Sequence, residues 1–343
     1  MATQAPVTNQ IGLSLNDYKG AVSTLCAGCG HDAVTGQIVR AFFQRGVDPQ
    51  RVAKFSGIGC SSKTPAYFLN RAHGINSVHG RMPSVATGAL LANRDLMGIG
   101  ISGDGDTASI GMGQFIHMVR RNVPLIYIIE NNGVYGLTKG QFSATADIGS
   151  TLKSGVINDL PPVDLCSLAI ELGASFVARS FSGDPKQLAV LLEAAIAHKG
   201  LAVLDVISPC VTFNNHEGST KSYTYAKQNE IPLHEIGFVP ASETLDVDYE
   251  PGETKVVQLD DGSRITLKKI ERDFDPADRL EALSMLRRSY DEGTFLTGLF
   301  YVNPEQETLT DMLKIHETPL AHLREADLRP GPEVLTSIMR DLA

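Results

Sequence analysis

The 343-residue chain is 43% hydrophobic and 20% charged, enough to bury a large core as one large domain or two smaller ones. Its formal net charge of −9, with no block of like charges, argues against nucleic acid and anionic membrane as partners. The start, MATQAPVTNQIG, has no basic region followed by an apolar core, and no apolar run is long enough to span a bilayer, so the expected location is the cytoplasm.

Residues 1–20 show little periodicity and read as an arm, mobile unless another surface holds it. Cys26-Ala27-Gly28-Cys29-Gly30-His31 is a tight loop, and residues 34–44 place Val34, Ile38, Ala41 and Phe42 on one helical face. Residues 52–55 predict a short buried strand that ends in Ser56-Gly57-Ile58-Gly59-Cys60-Ser61-Ser62. Residues 75–78 predict another strand, followed by His79-Gly80-Arg81, and residues 84–93 predict a helix of small residues. Apolar runs at 97–102 and 125–129 predict two more strands, separated by a helix over about 109–121. The first run ends in Gly103-Asp104-Gly105-Asp106 and the second in Asn131-Asn132-Gly133-Val134-Tyr135-Gly136. Residues 138–162 lack periodicity, and a loop of that length in a compact domain is usually functional. A helix at 162–172, a strand at 175–178, a helix at 185–198 and a strand at 201–207, ending in Ser208-Pro209-Cys210, complete the alternation.

That alternation predicts an α/β fold, a mostly parallel sheet with helices on both faces. Ligands of such folds bind beyond the carboxyl ends of the strands, where all the polar loops named above are delivered. From about 230 the character changes. Residues 255–270 alternate around Asp261-Gly262 as a hairpin does, 280–290 form a short amphipathic helix, and 318–343 are polar with prolines. The expected organisation is an arm over 1–20, a ligand-binding core over 21–230 and an irregular C-terminal extension over 231–343, packed on the core or on a partner.

Asp104 and Asn132 carry the first chemical signal. An acid and an amide on neighbouring loops are hard oxygen ligands suited to Mg²⁺, which takes few protein ligands and shares a phosphate. The glycines admit the backbone close to that phosphate, and a helix start after Asp106 points N–H groups at it. Either loop alone is a common turn; both, each after a buried strand, are far more specific. A dinucleotide fold fits less well, because Gly111-Met112-Gly113 falls within the predicted helix instead of directly after a strand.

The second signal is the set of five cysteines, an odd number that argues against a disulfide framework. Cys26-x-x-Cys29 alone is weak. Cys60 and Cys210 each follow a predicted strand at the ligand edge, and four thiols there make a soft tetrathiolate site. Iron–sulfur clusters and structural zinc both use four thiolates, although the spacing is unlike a zinc ribbon. Cys60 lies inside a loop whose glycines and hydroxyls suit a phosphate, which brings a cluster close to a phosphorylated cofactor. Cys166 lies in an apolar helix and reads as core. His31 and His117 read as structural.

Gly103-Asp104-Gly105 with Asn131-Asn132 resembles the thiamine-diphosphate signature. Together with Cys26-x-x-Cys29-Gly-His, Gly57-Ile-Gly-Cys-Ser-Ser62, His79-Gly-Arg81 and Tyr135-Gly-Leu-Thr-Lys-Gly-Gln141, it makes the chain similar, over roughly 20–240, to the beta subunit of 2-oxoacid:ferredoxin oxidoreductases. The resemblance implies the diphosphate-binding module of the thiamine-diphosphate fold. It implies Mg²⁺ on Asp104, the Asn132 side chain and the Val134 carbonyl. Thiamine diphosphate would be lined by Ile58, Gly59, Cys60, Ser61, His79, Gly105, Asp106, Gly136 and Leu137, and one [4Fe–4S] cluster held by Cys26, Cys29, Cys60 and Cys210. It also implies an alpha subunit that carries the activating glutamate, a dimer of alpha–beta heterodimers, and ferredoxin as electron acceptor. The implied reaction is the reversible, coenzyme A-dependent oxidative decarboxylation of a 2-oxoacid.

Lys63 directly follows the Cys60 loop and is the candidate that selects a dicarboxylic substrate, 2-oxoglutarate, which would become succinyl-CoA; pyruvate would leave a buried lysine unpaired. Leu137 is the candidate apolar wall beside it, and Lys139 is a second candidate cation. Three other readings stay open: a pyruvate or broad 2-oxoacid enzyme, a non-redox thiamine-diphosphate decarboxylase with structural zinc, and a non-catalytic electron-transfer or assembly subunit.

Overall fold

Strands and helices alternate from residue 30 to residue 207. The structure is a computed structural model that describes residues 7–216, 219–239, 254–258, 264–269 and 274–342. In chain order come α1 (Gly30–Arg45), β1 (Val52–Ser56), β2 (His73–Asn76), α2 (Met82–Ala92), β3 (Met97–Gly103), α3 (Met112–Arg120) and β4 (Leu125–Asn131). A two-stranded ladder, β5 (Val134–Tyr135) with β6 (Gln141–Phe142), precedes α4 (Leu165–Glu171), β7 (Phe176–Phe181), α5 (Pro185–Ala197) and β8 (Ala202–Ile207). Beyond them lie α6 (Tyr223–Asn229), β9 (Glu230–Pro232), β10 (His234–Val239), β11 (Thr254–Gln258), β12 (Arg264–Lys269), α7 (Arg279–Glu292), β13 (Phe295–Val302), α8 (Leu309–Met312), α9 (Glu325–Leu328) and α10 (Pro332–Asp341).

The main sheet runs β2-β1-β3-β4-β8-β7-β13-β9. The first six strands are mutually parallel, so their carboxyl ends and the loops that follow share one edge. The pleat sends alternate residues to opposite faces. Ile126 and Ile128 of β4 pack with α1 and α5, whereas Tyr127 and Ile129 pack with α2, α3, α4 and α7. The expected sheet covered on both faces is therefore present.

Helix boundaries follow local chemistry. Asp164 caps α4 by accepting from the Ser167 N–H, which starts that helix at Leu165 instead of 162. Asp184 caps α5 in the same way, with Pro185 in the first turn. The helix predicted over 109–121 divides in two: Gly105–Ile110 form a wide π-helical turn, Gly111 breaks it, and α3 starts at Met112. A methyl at Gly111 would stand 2.5 Å from the Asp106 carbonyl oxygen, so the break needs glycine.

Part of residues 231–343 enters the core sheet. All eight residues of β13 are buried; the strand runs antiparallel to β7 and carries β9 on its other side. Ala282, Met285 and Leu286 of α7 join Phe300 in the same core. Asn122, at φ 46°, donates to the carbonyls of Gln306 (3.2 Å) and Glu307 (3.1 Å), and Asp311 pairs with Lys199 at 3.0 Å. β11 and β12 pair antiparallel as the hairpin pattern requires; the Asp261-Gly262 turn lies outside the described residues. α1 holds the N-terminal arm: Asn9 donates to the buried Tyr18 hydroxyl (2.7 Å) and to the Phe43 carbonyl (3.0 Å). Among the described residues no helix is long and apolar enough to cross a membrane.

Phe300 is fully buried on β13, so Phe300→Ala is expected to cost about 3–5 kcal/mol. Equilibrium denaturation checks this: the loss should fall in the main unfolding transition and not in a separate, earlier one.

Candidate functional site

Asp104 stands at the end of β3 and is 1% exposed. Its Oδ2 accepts from the Gly133 N–H (3.1 Å), the Thr145 hydroxyl (2.6 Å) and the Ser143 hydroxyl. Its Oδ1 accepts a long bond from the Asn132 N–H at 3.3 Å. Burial raises the carboxyl above its ordinary range, and the Ser143 and Thr145 hydroxyls oppose that. Gly133, at φ 76°, makes the turn that aims its N–H at Asp104. Asn132 Oδ1 accepts from the Val134 N–H (3.1 Å), and its carbonyl accepts from the buried Asn214 amide (2.8 Å).

Asp106 joins three loops. Its carboxylate accepts from the Gly80 N–H (2.7 Å), the Ser102 hydroxyl (2.7 Å), the Ile58 N–H (3.4 Å) and His79 Nδ1. Gly57 packs so closely on it that a Cβ there would lie 1.8 Å from Asp106 Oδ2. Tyr135 closes the other side, donating from its hydroxyl to the Gly105 carbonyl at 2.9 Å. A Cβ on Gly105 would meet that ring at 2.5 Å.

The candidate thiols gather beside this edge. Cys60 and Cys210 Sγ each lie 3.6 Å from where a Cβ on Gly136 would stand. Burial pushes the Cys29 thiol up to about 12, and charge on Cys210 and Cys60 acts in the same direction. Burial also raises Cys60, with charge on Cys210 and Cys26 adding to it. Thr212 donates to Cys26 Sγ at 3.7 Å. Cys166 lies apart, on the buried face of α4 in the core. Among the described residues no three or more His, Cys, Asp or Glu side chains close on a single metal ion.

A cavity of about 90 Å³ runs from the Asp104 and Asp106 loops to Cys60; Cys26, Cys29 and Cys210 are outside its lining. Ile58, Gly59, Cys60, Ser61, His79, Asp104, Gly105, Asp106, Asn132, Val134, Gly136 and Leu137 all line it. Lys63 does not: its ammonium donates to Thr24 Oγ1 at 3.2 Å. Lys139, at φ 79°, is exposed and also outside the lining. His117 is exposed on α3. A larger cleft of about 440 Å³ opens at the other end of the sheet, where β3 and β4 begin, remote from these groups.

Sequence reasoning missed several residues here. Ser143 and Thr145 come from the aperiodic loop after β6, and only folding brings their hydroxyls to Asp104. Glu130 and His31 also line the cavity. Glu130 is fully buried, neither carboxyl oxygen has a hydrogen-bond partner among the described residues, and burial raises it well above the carboxylate range. Burial pushes His31 down to about 4, and its Nδ1 bonds the Ser208 hydroxyl at 2.9 Å. A charged type inside the apolar run that ends β4 was the available signal for Glu130.

Residues 57–206 match the family described as thiamine pyrophosphate enzyme, C-terminal TPP binding domain. The 2-oxoglutarate synthase subunit KorB of Methanocaldococcus jannaschii is 37% identical over 216 residues, 61% of this chain and 78% of that one. The 2-oxoacid:ferredoxin oxidoreductase subunit beta of Saccharolobus solfataricus is 44% identical over 202 residues, 58% of this chain; the match spans 65% of that protein's length, just under two thirds. Among solved structures, the 2-oxoglutarate:ferredoxin oxidoreductase from Magnetococcus marinus with 2-oxoglutarate, coenzyme A and succinyl-CoA bound superposes with a TM-score of 0.75 at 29% identity, over 98% of this chain and 99% of that one. By fold, cavity and kinship, the chain belongs to the beta-subunit family of the 2-oxoacid:ferredoxin oxidoreductases.

Proposed function

We propose that this chain is the beta subunit of a 2-oxoglutarate:ferredoxin oxidoreductase, which with its alpha subunit converts 2-oxoglutarate and coenzyme A to succinyl-CoA and carbon dioxide, reversibly. The observation that carries the reading is the single cavity lined at once by Asp104, Asn132 and Cys60. A hard-oxygen pair suited to Mg²⁺–diphosphate and a thiol suited to a cluster then serve one bound molecule. The names of the M. jannaschii and M. marinus relatives support 2-oxoglutarate as substrate.

The residues fit the implied groups. Asp104 is a buried carboxylate with one under-used oxygen, a position that a cation would complete. Asn132 Oδ1 and the Val134 carbonyl are the companion ligands. Gly59, Gly105 and Gly136 line the cavity, so much of its wall there is backbone, which suits a diphosphate. Cys26, Cys29, Cys60 and Cys210 are the ligands for one [4Fe–4S] cluster; thiolates around a cluster stand further apart than those around one zinc ion.

When bound, thiamine diphosphate supplies the carbon that takes up the substrate's electron pair as carbon dioxide leaves, and the cluster supplies a one-electron path to ferredoxin. The chain's own residues place and shield. Asp106 ties the loops at Ile58 and Gly80 together and orients His79 at the cavity wall. Leu137 is the apolar wall of the substrate pocket. Lys63 releases Thr24 and turns toward the distal carboxylate of 2-oxoglutarate. Val78 and Leu137, exposed beside the cavity, are covered by the alpha subunit, which brings the activating glutamate. The complex is a dimer of alpha–beta heterodimers in the cytoplasm, where its thiols stay reduced.

Two outcomes are expected from the complex purified anaerobically with its native partner. It carries about four iron and four sulfide per chain, lost in Cys60→Ser; a colourless protein with zinc on these cysteines would sink the oxidoreductase reading. With a low-potential dye as acceptor it oxidises 2-oxoglutarate in preference to pyruvate, and Lys63→Ala lowers that kcat/KM ratio roughly 10- to 100-fold, the weight of one charged hydrogen bond. An unchanged ratio removes Lys63 from the pocket.

A further inference from the structure

The aperiodic loop after β6 gives Ser143 and Thr145 to the site at its start. Its middle, residues 148–160, is built differently and folds back on itself. The Gly149 N–H donates to the Asn158 carbonyl (2.8 Å), the Asn158 N–H to the Ser150 carbonyl (2.9 Å) and the Leu152 N–H to the Val156 carbonyl (2.9 Å). Both ends are clamped. The buried Asn158 amide bonds the carbonyls of Ala146 (3.1 Å), Asp147 (3.0 Å) and Leu160 (2.9 Å). Asp147 accepts from the Thr220 hydroxyl (2.7 Å) and the Lys221 ammonium (2.8 Å). A loop so well bonded within itself nevertheless turns Ile148, Val156, Ile157 and Leu160 outward, each between 55% and 73% exposed. Single exposed apolar residues are ordinary; four on one short, preorganised loop mark a surface that another protein covers.

We propose that residues 148–160 are a docking surface for the alpha subunit. The inference rests on the reading of the chain as a beta subunit. Two observations select that partner. The first is continuity with the mouth of the cavity, which the alpha subunit closes. The Lys153 ammonium lies 4.8 Å over the Phe213 ring, and Phe213 packs on Gly140, where a Cβ would stand 2.8 Å from the ring. Gly140 ends the turn that carries Leu137, exposed where it lines the cavity. The second is charge. Lys153 and Asp159 are the only charged residues of 148–160, and they balance. Permanent subunit contacts are apolar, whereas an electron carrier that comes and goes uses a small contact no more apolar than the rest of the surface.

The test uses the co-expressed alpha and beta chains, purified anaerobically as the complex. Association is read by sedimentation velocity over a dilution series without substrate, so it does not depend on which 2-oxoacid is turned over. Ile157→Asp and Leu160→Asp are each expected to weaken it about 100-fold or more, the effect of burying an unpaired charge. Leu280→Asp, at an exposed position on α7, leaves it within about twofold of the parent. Iron content and thermal unfolding like the parent's show that the beta chain of each variant is folded. Where the aspartate variants do not fold, Ile157→Ser and Leu160→Ser decide, with an expected loss of about 10-fold. Parent-like association of the loop variants overturns the inference. So does intact association with impaired reduction of ferredoxin, which gives the loop to the electron carrier. Heterodimers that form but no longer pair overturn it too, since they give the loop to a second copy. Parent chains that do not associate sink the beta-subunit reading, and this inference with it.

Discussion

One buried carboxylate organises the carboxyl edge of the sheet. Asp104 has left water, and its charge must be answered by groups the fold brings to it. Those groups come from two places in the chain: the N–H groups of Asn132 and Gly133 after β4, and the Ser143 and Thr145 hydroxyls after β6. The β3 and β4 loops and the aperiodic loop are thus fixed to one another through a single side chain. Asp106, one residue beyond Gly105, does the same for the loops at Ile58 and Gly80. Between the two carboxylates the cavity wall is almost wholly specified.

The placement of Cys60 on that wall turns a candidate phosphate-binding edge into a candidate redox site. Cys60 belongs both to the glycine loop after β1 and to the thiol group shared with Cys210 across Gly136. Under the proposed function the distance from reacting carbon to cluster is set by this one loop. Glu130 and His31 add a further constraint: a buried acid and a buried imidazole, both driven toward their neutral forms, line the same cavity.

Much of this was legible in the sequence, for a physical reason. A buried parallel strand is a continuous apolar run, and the loop after it must carry the polar and glycine residues that the ligand edge needs; Met97–Gly103 and Leu125–Asn131 both do so. Legibility ended where partners are distant in sequence. β13 is an apolar run of the same kind, Phe295–Val302, yet its place beside β7 follows from pairing across more than a hundred residues, and the change in composition after 230 concealed it. Ser143 and Thr145 follow no period, because their role is set by where Asp104 lies. Lys63 follows the Cys60 loop closely in sequence, but its side chain lies against Thr24, since a turn directs neighbouring residues to different sides.

The central claim is that the Asp104 edge and the four thiols act on one substrate. The direct measurement is rapid mixing of the anaerobic complex with 2-oxoglutarate and coenzyme A, followed by EPR of the frozen sample. The account predicts a reduced [4Fe–4S] signal that appears with the substrate in the parent complex and is absent in Asp104→Ala, although that variant keeps its iron. A cluster whose spectrum is indifferent to substrate, or an Asp104→Ala complex that reduces its cluster as the parent does, would contradict it.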